Sequence, residues 1–406
     1  MEPWDFAQPR FRDYYQRARL PAPAEIERRE FAFIFSGKKG MWRHMGFRDE
    51  AGMRRFLADR VPANSYYSTA YYKDPSGPTM DRKGWLGADL IFDLDADHIH
   101  GAEGMTFPEM LLAVKREFTK LLESFILGDF GFEPDKVEVV FSGGRGYHAH
   151  VTDERVRKLG SHERREVVDY ISGKGLDFDW VMPKEPFQTK KFRGHVSVKY
   201  RRQLPARASG GWRGKLLGGM KILGDDIGAM ERPAALKYLS SVEGIGAKTA
   251  EGLYAELFEG KPGSRGMDRM LSENRIEVFS DERLLNAFVK LVQQKVKVEL
   301  EGEADEPVTS DIKRLIRLPG SLHAKTGFVS LPMKIDELKS FDPFTDAIPT
   351  TLTDAPVKLR GLKDASFELA GEGYTIATGK ELEVPERAAL FLVCSKNCEP
   401  VVAPPV

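Results

Sequence analysis

Apolar positions change their spacing repeatedly along this chain, and each change marks an element. Phe6, Phe11, Tyr14 and Tyr15 recur among charges and predict a helical lead-in that Pro21 and Pro23 close. Phe31, Phe33 and Phe35 alternate, so Glu30 to Phe35 reads as a strand, followed by a Gly37-Lys38-Lys39-Gly40 turn. Met53, Phe56 and Leu57 return at helical spacing over 49–59. Tyr66 to Tyr72 is aromatic and β-prone until Pro75 and Gly77-Pro78 end it, and packing is the expected use of its tyrosines. Leu90-Ile91-Phe92-Asp93-Leu94-Asp95-Ala96-Asp97 then carries an apolar strand straight into alternating carboxylates. Two-residue periodicity puts Asp93, Asp95 and Asp97 on one face.

A long amphipathic helix follows over 107–127, with Leu111, Val114, Phe118, Leu122 and Phe125 on one side. It returns the chain to a strand from Lys136 to Phe141 and a glycine turn, Ser142-Gly143-Gly144-Arg145-Gly146. The return strand sets Tyr147 on one face and His148 and His150 on the other. Leu236 to Phe258 reads as two helices joined at Gly244-Ile245-Gly246, either a simple helical hairpin or a phosphate-binding helix-hairpin-helix turn. Asp281 to Val296 is a further amphipathic helix, Val296 to Leu300 a short strand, Phe328 to Met333 another, and 342–353 a linker. The tail is expected to be small and β-rich, with a frayed proline-containing end.

Composition sets limits on this outline. The chain has 406 residues, 41% hydrophobic and 30% charged, which describes a globular protein of two or three domains. No apolar run approaches the ~18 residues of a membrane span, and Met1-Glu2-Pro3-Trp4 does not open a signal peptide, so a cytoplasmic protein is expected. Cys394 and Cys398 are the only cysteines and are expected to be ordinary thiols; two exclude a disulfide framework and a four-cysteine zinc site. With 61 basic and 61 acidic residues the chain is not basic throughout. Charge is nonetheless segregated, because Lys184 to Lys221 holds eleven Lys or Arg against the single acid Glu185, interleaved with Phe187, Phe192, Tyr200 and Trp212. That mixture suits a nucleic-acid backbone, although a solvated basic face has the same composition.

Carboxylates crowded on one face repel each other unless a cation lies between them. The acidic strand therefore reads either as a Mg²⁺ or Mn²⁺ site or as a strand ending in a solvated acidic turn. The glycine turn reads either as a plain hairpin loop or as a polyphosphate cradle of exposed amides, a hydroxyl, a guanidinium and an imidazole. A third stretch, 304–327, mixes carboxylates and basic residues with Pro319-Gly320, which alone describes a charged helix face and a loop.

Taken in order, these three stretches resemble the catalytic small subunit of the archaeal and eukaryotic DNA primase. Phe92-Asp93-Leu94-Asp95 is similar to the family's strand ending in D-x-D, and Ser142 to His148 matches S-G-x-x-G-x-H in full. Asp305 ahead of Lys313, Arg314 and Arg317, with Ser321-Leu322-His323 closing the run, resembles the third pattern. The likeness extends over about Arg29 to Pro332. It implies that Asp93, Asp95 and Asp305 are the metal ligands, with Asp311 the alternative to Asp305. It also implies that Ser142, Arg145, His148, Arg317, His323 and Lys325 hold the nucleotide's phosphates, and it leaves Asp97 as a secondary or solvated group. The family's Cys/His zinc knuckle finds only His98 and His100 between Asp97 and Phe141, so no structural zinc is expected.

The resemblance implies de novo primer synthesis on single-stranded DNA from nucleoside triphosphates, with Mg²⁺ or Mn²⁺, a large regulatory subunit as partner, and a nucleoid-associated place in the cytoplasm. A related polymerase that only extends existing ends, and a non-catalytic DNA-binding subunit, are the alternatives. The expected class is α/β (α+β): a mixed-sheet catalytic core from 1–155 and 291–350, a mostly helical basic insertion at 156–290 and a β-rich extension at 351–406. No residue is identifiable that would read the sugar's 2′-hydroxyl.

Overall fold

A computed structural model describes residues 2–98, 101, 104–192, 195–300 and 304–401. The chain divides into two compact units. The first comprises Met1–Glu123, Gly131–Val168 and Glu303–Val406, and the second Ser124–Phe130 and Asp169–Gly302. Helices and small sheets alternate throughout, giving the α+β class expected, and every pairing between the strands of its sheets is antiparallel, which refines the mixed sheet expected.

Two four-stranded sheets carry the first unit. Their strands, numbered here in chain order, are β1 (Phe31–Ile34), β2 (Trp42–Met45), β3 (Asn64–Ser68), β4 (Leu90–Asp95), β5 (Val137–Phe141), β6 (Gly146–Val151), β7 (Leu315–Arg317) and β8 (Leu331–Met333). One sheet runs β7-β3-β1-β2 and the other β8-β5-β6-β4, so a strand of the distant third stretch completes the first and a strand just after it the second. The helix Phe107–Lys120 starts at Thr106, whose capping box with Glu109 ties down its first turn. It packs on the second sheet through Phe118, stacked at 5.5 Å on the buried Tyr147 of β6. That contact fixes which face of β6 is core and leaves His148 and His150 on the other, as the alternation requires.

The face opposite Tyr147 meets the first sheet through polar groups. Tyr67 of β3 joins its hydroxyl to His150 Nδ1 at 3.0 Å, and below them the buried Arg29 pairs with Asp89 at 2.7 Å. Arg29 also donates to the carbonyls of Ser68 and Thr69, and Tyr71 donates to Asp89 Oδ1 at 2.7 Å. Arg29 thus takes the carbonyls at the break between β3 and the next strand, Ala70–Tyr72, where the sequence suggested one aromatic stretch.

Three further expectations change. The Asp281 helix does not yield to a strand at Val296 but runs as Glu282–Leu300, because Val289, Val292 and Val296 are buried and Gly219 of the helix Gly211–Gly228 lies against Val296. The basic segment folds partly as an antiparallel hairpin, Lys184–Phe192 with His195–Arg202. The tail is β-rich but also holds the helix Glu386–Cys394, buried from Ala388 to Cys394. Both cysteines are free and buried. The proline-containing end, His100 and Arg193 fall outside the described residues. Among the described residues no helix is long and apolar enough to cross a membrane.

Asp89→Asn would leave the Arg29 guanidinium buried without its counter-charge. The expected loss is about 3–5 kcal/mol of stability, read from urea unfolding; a loss below about 1 kcal/mol would show that the pair is not a structural anchor.

Candidate active site

The acidic strand β4 lies at the end of its sheet and pairs on one side only, with Asp93 opposite His148 and Asp95 opposite Gly146. A side chain at 146 would put its Cβ 2.7 Å from the Leu94 carbonyl, so glycine is what allows β6 to close on β4. The other edge of β4 receives Asp305, whose amide donates to the Asp93 carbonyl at 2.9 Å. Asp305 also caps the short helix Glu306–Ser310, its carboxylate accepting from the Val308 amide at 3.1 Å.

This junction sets the electrostatics. Burial first, then the neighbouring carboxylates of Asp95 and Asp305, push the Asp93 carboxyl up to about 7 against the opposing pull of Arg314. Asp95 Oδ1 is buried with no hydrogen-bond partner. A carboxylate oxygen without a hydrogen bond, next to an Asp93 carboxyl that Asp305 also raises, is a donor set that suits a hard cation. Among the described residues no group of three or more His, Cys, Asp or Glu forms a ready-made metal cluster. Asp311 is elsewhere: it ends the same short helix, and its carboxylate accepts from the Lys313 amide.

The glycine turn is held by its own serine, Ser142 Oγ accepting from the amides of Gly144 at 3.1 Å and Gly146 at 3.2 Å. Gly143 has φ +76°, and a Cβ there would press on His323 and on the backbone of Phe328 and Ser330, so the turn and the third stretch touch at this residue. Thr326 joins them, donating to the Gly143 carbonyl at 2.5 Å. Arg145 reaches back across the acidic turn to Asp97 at 2.9 Å and lies 3.7 Å from Asp95. Asp97 is therefore the ion-pair partner of Arg145, a role that the sequence left undetermined.

His148 places Nε2 3.4 Å from Asp93 Oδ1, and burial first, then His150, Arg317 and Arg314, holds its ring well below the usual imidazole range. In the other sheet Arg317 lies across the Tyr66 ring at 4.6 Å and donates to Asn64 Oδ1 at 2.7 Å. Burial with the charges of Arg317, Lys325 and Arg145 pushes His323 down to about 3. Asp93, Asp95, Ser142, Arg145, His148, Arg317, His323 and Lys325 all line one cleft of about 680 Å³ within the first unit. Asp305 is not among these lining residues, and its amide joins it to Asp93. Tyr66, Arg314 and Thr326 also line it, and the sequence assigned none of them a role in the site. So do Lys363, Phe367 and Asn397 of the C-terminal extension, which no motif marks.

The family model of the DNA primase small subunit matches residues 92–335. This chain belongs to that family. It is similar to the DNA primase small subunit PriS of Methanothrix thermoacetophila, 39% identical over 96% of each chain. It is also similar to that of Methanocella arvoryzae, 38% identical over 97% of this chain and 98% of the other, and to that of Natronomonas pharaonis, 36% identical over 95% of both. The primase-family match takes in every candidate residue from Asp93 to Lys325 and stops short of the extension.

His150 is 3% exposed and burial pushes it down to about 3. The unfolded chain takes up this proton near pH 6.5 while the folded chain refuses it, so stability is full above about 6.5 and falls as pH drops toward 3, by about 1.4 kcal/mol per pH unit for this ring. His150→Asn is expected to flatten the fall between pH 6.5 and 5 in urea midpoints; an unchanged slope would contradict a neutral buried imidazole.

Proposed function

We propose that this chain is the catalytic subunit of a DNA primase, joining nucleoside triphosphates de novo on a single-stranded DNA template. The observation that carries this is the convergence of two β4 carboxylates, the Ser142–Gly146 turn and the basic third stretch on one cleft. Asp93, Asp95 and Asp305 would hold Mg²⁺ or Mn²⁺, which when bound activates the 3′-hydroxyl and neutralises the departing pyrophosphate. The chain's own groups do the rest. The Ser142 hydroxyl, whose oxygen takes the Gly144 and Gly146 amides and whose proton can be donated, orients the phosphates, and Arg145, Arg317 and Lys325 balance the charge that grows on them. His148 and His323, both neutral, offer hydrogen bonds without adding charge beside the carboxylates.

The basic hairpin of the second unit, with Tyr200 60% exposed, fits contact to the template backbone. A large regulatory subunit completes the proposal as partner. No structural zinc belongs to it, since Cys394 and Cys398 are the chain's only cysteines and both lie in the tail.

The test supplies unprimed single-stranded DNA and nucleotides. Wild type is expected to make short products, and Asp95→Ala and Asp305→Ala to lose about 10³-fold or more of that activity while each still melts cooperatively, Asp305→Ala at a lower temperature for want of its helix cap. Product only when a primer is added would favour an end-extending polymerase, and full activity in either variant would remove that residue from the ligand set.

A further inference from the structure

Beside the groups already given roles, the cleft has an apolar wall centred on Phe391. This ring, buried in the helix Glu386–Cys394, stacks on the buried Phe328 at 4.9 Å, and Phe344 meets the two edge to face at 6.0 and 5.9 Å. Phe107, the first residue of its helix, joins Phe391 at 5.9 Å, and Phe367 joins it at 5.4 Å. The cluster adjoins the glycine turn, because a Cβ at Gly143 would lie 3.2 Å from the Phe328 carbonyl, which accepts from the His323 amide at 2.9 Å.

Burial separates the rings of this cluster. Phe328, Phe344 and Phe391 are buried, whereas Phe107 and Phe367 stay partly exposed and both line the cleft. The strand Ala365–Leu369 explains the second: Ala365, Phe367 and Leu369 alternate with the exposed Ser366 and Glu368, so Phe367 shares the inner face on which Leu369 is buried. It is turned inward yet left uncovered on its cleft side. At about 680 Å³ the cleft also falls in the range of ~300–1,000 Å³ that takes a whole small-molecule ligand and not its phosphates alone.

We infer that Phe367, with Phe107, stacks the base of the nucleotide whose phosphates lie on the Ser142–Gly146 turn. The inference rests on the primase reading and deepens it to the base. Phosphates gain nothing from an apolar wall, and the carboxylates hold the cations, so the base is the part of a nucleotide that offers this wall a broad apolar face. Every base has such a face, and stacking therefore holds the nucleotide without choosing among the four, as template-directed synthesis requires. The C-terminal extension, which the family match does not reach, thereby supplies one of the two rings of the base platform.

Equilibrium binding of ATP and of abasic ribose 5-triphosphate to the full chain with Mn²⁺ tests this, in wild type, Phe367→Leu and Phe367→Tyr. Wild type is expected to bind ATP about tenfold more tightly than the abasic ligand. Phe367→Leu, which keeps apolar volume but removes the ring face, should lower ATP affinity several-fold and leave the abasic ligand unchanged, and Phe367→Tyr should restore the difference. Phe107→Leu should narrow it likewise, which keeps the test decisive if Phe367→Leu fails to fold. Equal binding of the two ligands to wild type, a difference that survives the leucine variants, or an equal loss for both ligands, which marks a packing role alone, overturns the inference. Synthesis on unprimed template, measured in parallel, separates the two readings: no product sinks the primase assignment, whereas normal product with equal binding sinks only the base contact.

Discussion

Mutual repulsion of carboxylates is the constraint that the first unit is built to sustain. Asp93 and Asp95 share a face of β4, and the amide of Asp305 is pinned to the Asp93 carbonyl on that strand's other edge. Without opposing charge this arrangement costs stability, and the Asp93 carboxyl is raised by its burial first and by Asp95 and Asp305 in addition. Much of the surrounding structure serves to hold it: β6 closes on β4 through Gly146, the short capped helix fixes Asp305, and Arg145 spans the turn between Asp95 and Asp97.

The same economy of charge explains the imidazoles. A protonated His148 or His323 would compete with a cation and repel Arg317, and burial keeps both rings neutral. Positive charge is left to the guanidinium and ammonium groups around the cleft. The two sheets meet through the Tyr67–His150 contact, and the buried Arg29–Asp89 pair lies in the same polar interior. Thr326, a residue without a motif of its own, joins the glycine turn to the third stretch.

What the sequence disclosed followed the range of its physics. The face shared by Asp93 and Asp95, the turn at Gly143 and the split of Tyr147 from His148 and His150 are set by neighbours within a few residues, and two-residue periodicity exposes them. The choice of Asp305 over Asp311 came from family spacing, and it is the Asp305 amide that the structure sets against Asp93. Val296 to Leu300 misled because a short Val-Lys-Val alternation is also compatible with a helix, and packing against Gly219 decides between them. The helix Glu386–Cys394 was hidden because it is buried from Ala388 to Cys394 and has no polar stripe to show its period. The meeting of Phe107 and Phe367 around Phe391 was illegible for another reason, since contacts between distant stretches leave no local pattern.

On the proposed primase reading, two distant parts of the chain share one cation site. Anomalous diffraction from crystals grown with Mn²⁺ and a non-hydrolysable nucleoside triphosphate tests it most directly. Manganese is expected on carboxylate oxygens of Asp93 and Asp95 with Asp305 completing the set, and the phosphates against the Ser142–Gly146 turn. Manganese bound away from these carboxylates, or an Asp305 side chain that stays on its helix cap while Asp311 takes the metal, would contradict it.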